Sequence, residues 1–152
     1  MSASQDDHAW LTEAIRVSRL APPVPDRYAV GAVVVDHHGR ALATGYTGEG
    51  HPHFHAEEAA LVKLTGQDLS RTVLYTSLEP CTTRASRPLT CTRLLLDAGI
   101  RRVVLAWREP LLFADCDGVE TLRRHGVEVA ELPELADQVR AVNSHVLIPA
   151  AA

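Results

Sequence analysis

The chain alternates between segments with a helical spacing of apolar residues and segments that are continuously apolar. The first segment has the spacing of an amphipathic helix, and we expect this helix to run from a cap at Asp6 or Asp7 to about Leu20. A valine-rich segment over 28–36 and an apolar segment over 40–47 flank a turn that contains glycine. Two such runs joined by a short turn predict a β-hairpin.

Helical and strand-like segments then follow in turn to the end of the chain. We expect helices over 55–64, 91–98, 119–125 and 133–146, and strands over 72–78, 102–107 and 127–132. Strands that alternate with helices are typical of parallel pairing, because a parallel connection needs a long crossover that is usually helical. The pattern therefore predicts one α/β domain over residues 1–152 whose later strands are parallel.

The composition narrows the range of partners and compartments. The 152 residues carry a net charge of −4, which gives no overall attraction to nucleic acid or to an anionic membrane and favours a small-molecule partner. Three cysteines are too few for a disulfide scaffold. The N-terminal residues lack the basic and apolar regions of a signal peptide, and no apolar run approaches the ~20 residues of a membrane span. We therefore expect a cytoplasmic protein.

Three short motifs carry candidate metal ligands. His55-Ala56-Glu57 begins a predicted helix, Pro80-Cys81 follows a predicted strand, and Cys91 begins the next helix. Taken singly, a histidine is usually solvated and a cysteine is usually a small buried apolar residue. Together, one imidazole and two thiolates suit Zn²⁺, and three protein ligands leave the fourth tetrahedral position for water. The combination predicts a catalytic zinc site.

Glu57 has a clear role beside such a site. A carboxylate next to a zinc-bound water can take its proton and later deliver protons to a substrate. Residues two apart on an ideal helix point about 200° apart, so His55 has to sit at the very start of its helix for both side chains to reach one site. The N-terminus of the following helix favours the thiolate form of Cys91.

These motifs resemble the zinc-dependent cytidine-deaminase-like superfamily, whose signature is H-x-E followed by P-C-x-x-C. Here nine residues separate Cys81 from Cys91 instead of two. In that respect the chain is most similar to the deaminase domains of riboflavin biosynthesis, whose two cysteines flank a longer loop that contains an arginine, with Arg87 in its place. The resemblance implies a three-layer α/β/α fold with a five-stranded mixed sheet, and a homodimer.

Substrate contacts follow partly from this resemblance and partly from position. The backbone of Ala56 is implied to orient the substrate ring, and Arg27 stands where the riboflavin-pathway enzymes have a substrate-binding Asn-Pro pair. Trp107 ends a strand on the side where α/β sheets bind ligands. His51 and His53 precede the ligand histidine and are candidates for substrate contact or for alternative metal ligands, although an exposed loop is the favoured explanation. The departures at Arg27-Tyr28, and at Gly48 where the resemblance implies a histidine, predict a substrate other than the phosphorylated diaminopyrimidine.

The leading hypothesis is a hydrolytic deaminase of an amino-substituted pyrimidine or related heterocycle, as free base, nucleoside or nucleotide. In it, zinc-bound hydroxide attacks the carbon that carries the amino group, and ammonia leaves. Two alternatives stay open. One is a nucleic-acid editing deaminase of the tRNA type, which the acidic net charge disfavours. The other is a non-catalytic, zinc-stabilised module that binds a ligand, in which Glu57 has no obvious purpose.

Overall fold

A computed structural model describes residues 5–82, 90–108 and 117–147. Within them, five strands form one sheet in the order β2-β1-β3-β4-β5. Strand β1 is antiparallel to both β2 and β3, whereas β3, β4 and β5 are parallel to one another. The predicted hairpin and the parallel pairing of the later strands are confirmed. The strands are β1 Gly31–Val35, β2 Ala41–Tyr46, β3 Val73–Leu78, β4 Arg102–Trp107 and β5 Glu128–Glu131.

Helices cover both faces of this sheet. They are α1 Gln5–Ser18, α2 Ala56–Val62, α3 Cys91–Asp97, α4 Gly118–Arg124, α5 Ala136–Val142 and α6 Ser144–Leu147, with a 3₁₀ turn over Pro133–Leu135. Apolar residues of α2, α3 and α4 pack on one face, and those of α1 and α5 pack on the other. Strand β1 is buried along its whole length because helices cover both of its sides. The predicted three-layer α/β/α architecture with a mixed sheet is confirmed.

Helix α1 starts and ends earlier than predicted, and Asp7 does not cap it. The Asp7 carboxylate is buried and accepts hydrogen bonds from Tyr75 Oη at 2.7 Å and from both terminal nitrogens of Arg102 at 2.8 Å. Sequence alone favoured a cap because aspartate is common there. The residue instead ties α1 to the sheet.

The last predicted helix is broken at Asn143. Its side chain is fully buried, accepts a hydrogen bond from Ala29 N at 2.7 Å and donates one to Ala29 O at 3.1 Å. Asn143 leaves the helical conformation, with φ −101° and ψ 22°, and the chain resumes as α6. The same contact explains why β1 begins later than predicted, since a side chain replaces a neighbouring strand at Ala29.

A close approach between β2 and α2 sets the position of α2. A Cβ atom on Gly45 would lie 2.2 Å from Ala56 O and 2.5 Å from Ala60 N, so only glycine allows this contact. The first turn of α2 is thereby held against the sheet. No helix in the described part of the chain is both long and apolar enough to cross a membrane.

Candidate metal centre

Three side chains converge beyond the carboxyl end of β3. His55, Cys81 and Cys91 each offer one ligand atom, and these atoms lie within 4.8 Å of one another. His55 Nδ1 is 3.1 Å from Cys91 Sγ and 3.6 Å from Cys81 Sγ. Within residues 5–82, 90–108 and 117–147, this is the one group of three or more such side chains placed to hold a metal ion. We refer to these three residues as the ligand cluster.

His55 occupies the N-cap position of α2. Its backbone is extended, with φ −81° and ψ 163°, and its N–H donates to Glu58 Oε1 at 3.4 Å. His55 precedes the helical turns of α2. The helical rotation, which points residues two apart in nearly opposite directions, therefore does not fix the direction of its side chain. The prediction that His55 sits at the start of its helix is confirmed, and this explains how His55 and Glu57 serve one site.

Both cysteines are held by the N-terminus of α3. Cys91 is its first residue and donates its backbone N–H to Cys81 Sγ at 3.3 Å, while Thr92 N donates to Cys81 O at 3.1 Å. The side-chain hydrogen bond from Cys91 lowers the pKa of Cys81, with His55 adding to the effect. The same hydrogen bond, complete burial and the charge of Glu57 raise the pKa of Cys91. The thiolate is therefore favoured at Cys81, and the prediction that the helix N-terminus favours the thiolate of Cys91 is wrong, because Cys91 is completely buried and shares its hydrogen bond with Cys81.

Neighbouring elements fix the loop that carries Cys81. Glu79 N donates to Trp107 O at 2.9 Å, and the Glu79 carboxylate accepts from Val119 N, at the start of α4, at 2.9 Å. A Cβ atom on Gly118 would lie 2.1 Å from Pro80 O, so α4 approaches the loop as closely as glycine permits. The loop that carries Cys81 is therefore held by β4, α3 and α4 together.

Glu57 lies beside the ligand cluster. It is 3% exposed, and its Oε1 accepts a hydrogen bond from Thr76 Oγ1 at 2.6 Å. Glu57 follows the ligand His55 by two residues, and its negative charge contributes to the raised pKa of Cys91. Thr76 was not predicted as a functional residue, although two adjacent hydroxyl residues, Thr76 and Ser77, in a largely apolar strand were a visible signal.

The donor set of the ligand cluster fits zinc. Zinc binds imidazole nitrogen and thiolate sulfur in tetrahedral sites, and catalytic sites use three protein ligands. Deprotonated thiolate is the ligand form, and the lowered pKa of Cys81 favours it. The three buried or half-buried side chains thus form a centre that can hold Zn²⁺ with one coordination position left for a small molecule.

The remaining predicted contact residues are less closely tied to the ligand cluster. Arg27 donates from Nη1 to Pro52 O in the loop before His55. The Trp107 ring lies 6.0 Å from the Tyr28 ring and 5.7 Å from the Arg140 guanidinium, and packs on the α1 and α5 side of the sheet. The structure does not bring that ring to the ligands, and its contact with a substrate stays a prediction.

Two other sets of residues were predicted, and the structure describes one of them. Arg87 lies outside the described residues. The rings of His51 and His53 lie 5.6 Å apart on an exposed loop, and His53 N donates to His51 Nδ1 at 3.1 Å. Neither histidine belongs to the group placed to hold a metal ion, and their contact with a substrate stays a prediction.

Comparison with known families agrees with this geometry. The model of the family described as the cytidine and deoxycytidylate deaminase zinc-binding region matches residues 4–107, which include all three ligand residues and Glu57. The chain belongs to this family. Its zinc-binding character and the donor set of the ligand cluster point to the same ion.

Two individual relatives show which members of the family the chain resembles. The chain is 32% identical over 142 residues to a diaminohydroxyphosphoribosylamino-pyrimidine deaminase of Schizosaccharomyces pombe, covering 90% of this chain and 35% of that protein. It is 42% identical over 101 residues to the riboflavin biosynthesis protein RibD of Aquifex aeolicus, covering 66% of this chain and 27% of that protein. The chain thus spans about a third of the length of these relatives.

A solved structure shows the same similarity in three dimensions. The diaminohydroxyphosphoribosylaminopyrimidine deaminase/5-amino-6-(5-phosphoribosylamino)uracil reductase of Thermotoga maritima superposes with a TM-score of 0.76 and is 34% identical. The match covers 90% of this chain and 39% of the Thermotoga chain. The predicted resemblance to the deaminase domains of riboflavin biosynthesis is confirmed.

Proposed function

We propose that this chain is a zinc-dependent hydrolytic deaminase of an amino-substituted pyrimidine or a related heterocycle, as a free base, nucleoside or nucleotide. The observation that carries the proposal is a His/Cys/Cys cluster that offers a metal three ligands, with the buried Glu57 carboxylate two residues after its histidine. A purely structural zinc site has four protein ligands and needs no carboxylate beside it. The names of the relatives support the same reaction class.

The reaction exchanges an amino group for oxygen. A Zn²⁺ ion lowers the pKa of a water molecule that it binds and so supplies a nucleophile near neutral pH. His55, Cys81 and Cys91 would hold the ion. Glu57 accepts a proton from the nucleophile at a carboxylate oxygen and returns protons to the ring nitrogen and to the departing amino group. The C–N bond breaks, a C=O bond forms, and ammonia leaves.

Backbone groups at the start of α2 are suited to orient the ring. Ala56 is fully buried, and as the first residue of α2 its N–H has no partner within the helix. That N–H can donate to a ring carbonyl or nitrogen next to the reacting carbon. Arg87 is proposed as a further substrate contact, and only the family resemblance supports it.

Arg27 is proposed to contact an anionic or polar substituent of the substrate. Its guanidinium is anchored to Pro52 O, three residues before the ligand His55, and its buried Nε has no hydrogen-bond partner among the described residues. A guanidinium with unused donors favours a carboxylate or phosphate. Replacing Arg27 with Gln should raise KM for phosphorylated substrates more than for free bases. The exposed Arg40, paired with Asp36, provides the matched control Arg40→Gln.

Ammonia release from a panel of compounds tests the reaction and the substrate together. The panel contains the diaminopyrimidine ribosyl phosphate of riboflavin synthesis, cytosine, deoxycytidylate, aminopurines and a tRNA. The zinc-loaded chain should release ammonia from at least one aminopyrimidine, and Glu57→Gln should not. Release from tRNA alone would favour an editing enzyme. No release by a chain that holds stoichiometric zinc would favour the non-catalytic module.

We infer that residues 1–152 form one deaminase domain, which the packing of α1 and α5 on the same face of a single sheet supports. One cooperative unfolding transition would agree with it.

A homodimer is proposed from the family resemblance, and light scattering would measure it. A cytoplasmic location is proposed because a reducing compartment keeps Cys81 and Cys91 available as thiolates.

A further inference from the structure

Thr76 is one of two fully buried hydroxyl residues of β3, and its side chain contacts Glu57. It lies near the middle of β3, pairs with Ala32 of β1 and has no exposed surface. Side chains alternate along a strand, so Thr76 shares its face with Leu74, which packs with the apolar residues of α2 and α3. A hydroxyl at such a position destabilises the fold unless it is hydrogen-bonded. A valine of the same shape would fill the space equally well.

The hydroxyl of Thr76 has one hydrogen and two acceptors within reach. Glu57 Oε1 lies at 2.6 Å and Leu78 O at 3.1 Å. The shorter distance falls in the range of hydrogen bonds from a hydroxyl to a charged oxygen, which are about twice as strong as neutral ones. Donation to the Glu57 carboxylate is therefore favoured over donation to the Leu78 carbonyl.

We propose that Thr76 is a positioning residue for Glu57: its hydroxyl holds Oε1, so that Oε2 is the oxygen that moves protons. This inference rests on the proposed deaminase function. A carboxylate on a short helix can otherwise rotate about its terminal torsion, which is broad. Fixing one oxygen from the rigid sheet restricts that rotation, because β3 is paired on both sides, with β1 and β4. The precision of the site then comes from the sheet as well as from α2.

Neighbouring Ser77 supplies a matched control. It is equally buried and one residue further along β3, but its Oγ accepts a hydrogen bond from Gly31 N at 3.1 Å. Removing its hydroxyl also breaks one buried hydrogen bond, on the opposite face of the strand. A general loss of sheet stability should therefore follow either substitution, whereas a loss of Glu57 positioning should follow only the substitution of Thr76.

The experiment compares Thr76→Val, Thr76→Ser and Ser77→Ala. Thr76→Val should lower kcat about 10- to 100-fold, the range of one hydrogen bond to a charged group, with KM little changed. Thr76→Ser keeps the hydroxyl and should restore most of kcat. Ser77→Ala should keep wild-type kcat and lose only stability. In the Glu57→Gln background, Thr76→Val should cause no further loss, because residues that act as a unit are not additive.

A crystal structure of Thr76→Val adds a readout that does not depend on turnover. The Glu57 carboxylate should be rotated or spread over more than one orientation, with zinc content unchanged. If it keeps its orientation, or if kcat equals that of the wild type, the positioning role is wrong. If Thr76→Val does not fold, Thr76→Ala and Thr76→Ser give the same comparison. Absence of ammonia release by the wild type would overturn the proposed function and leave the crystallographic test to decide on Thr76.

Discussion

Two polar clusters lie on opposite faces of the sheet. In one the side chains pair with one another, and in the other they converge on a candidate metal site. The Asp7 cluster consists of Asp7, Tyr75, Arg102 and Glu128, on the α1 side. Both oxygens of Asp7 are bonded by Arg102 at 2.8 Å, and Arg102 also pairs with Glu128. Each charged side chain of this cluster therefore has an oppositely charged partner within the chain.

The ligand cluster and Glu57, on the α2 and α3 side, are arranged differently. The ligand cluster brings one nitrogen and two sulfur atoms within 4.8 Å of one another, which is the geometry of metal coordination rather than of charge pairing. Glu57 stands beside it with one oxygen bonded to Thr76. Buried polar groups that satisfy one another hold a fold together, whereas buried groups that converge on a shared point indicate a binding site.

The largest effect is expected from removing one ligand. Cys81→Ala should reduce zinc from one ion per chain to nearly none and abolish turnover, because two protein ligands do not hold the ion. Elemental analysis of the purified protein measures the metal. Cys116→Ala, which changes the third cysteine, should keep the zinc. Full zinc content in Cys81→Ala would remove Cys81 from the ligand cluster.

Glu57→Gln should separate chemistry from metal binding. The amide keeps the size of the side chain but cannot accept a proton, so turnover should fall at least about 100-fold. Zinc content and the thermal unfolding midpoint should stay close to those of the wild type. Steady-state kinetics on the substrate found in the panel gives the measurement. A variant with wild-type turnover would exclude Glu57 as the proton carrier.

In contrast to Glu57→Gln, Asp7→Asn should lower the stability of the fold and leave turnover unchanged. Asp7 and Arg102 side chains are 4% and 19% exposed, and breaking a pair buried to this degree costs about 3–5 kcal/mol. We expect the lower end, about 3 kcal/mol, since Glu128 still pairs with Arg102. Urea denaturation measures the free energy of unfolding, while kcat of the folded enzyme should be unchanged.

The exposed pair Glu13–Arg16 on the same helix is the control for Asp7→Asn. Its side chains are 34% and 62% exposed, and Glu13→Gln should change the free energy of unfolding little. Equal losses in Glu13→Gln and Asp7→Asn would contradict a special role of the buried pair. A fall in kcat in Asp7→Asn would contradict the separation of the two clusters.

The smallest effect is expected from Tyr75→Phe and depends on pH. Burial, followed by the hydrogen bond to Asp7, raises the pKa of Tyr75 above the value of about 10 in an unfolded chain. The neutral phenol therefore contributes stability that is fully present below pH ~10 and is lost as pH rises through the folded pKa. Tyr75→Phe should lose about 1 kcal/mol at pH 8.

Denaturation of the wild type and Tyr75→Phe at several alkaline pH values checks this dependence. The difference between the two proteins should shrink as pH rises, because the wild type loses the contribution that the variant already lacks. In the Asp7→Asn background the substitution should have a smaller effect, since the charged acceptor is gone. A difference that stays constant with pH would show that the phenol does not titrate with unfolding.

The amino-acid sequence by itself was sufficient to predict the order of the elements and the three side chains that the structure brings together as candidate ligands. Continuous valine in β1 and alternating helices and strands have local causes, namely side-chain shape and apolar spacing. His55, Cys81 and Cys91 were predictable because imidazole and thiolate are rare enough that three of them at the ends of elements indicate a metal. These features depend on residue type and on neighbours along the chain.

Only the tertiary structure decided the roles of Asp7, Thr76 and Asn143. Each of them bonds a partner far away in the chain: Asp7 with Tyr75 and Arg102, Thr76 with Glu57, and Asn143 with Ala29. Local preference predicted a helix cap at Asp7 and a continuous helix through Asn143, because hydrogen bonds to neighbours are all that local sequence can evaluate. The free energy of a buried polar group depends on the partner that folding brings to it, and a linear pattern does not contain that partner.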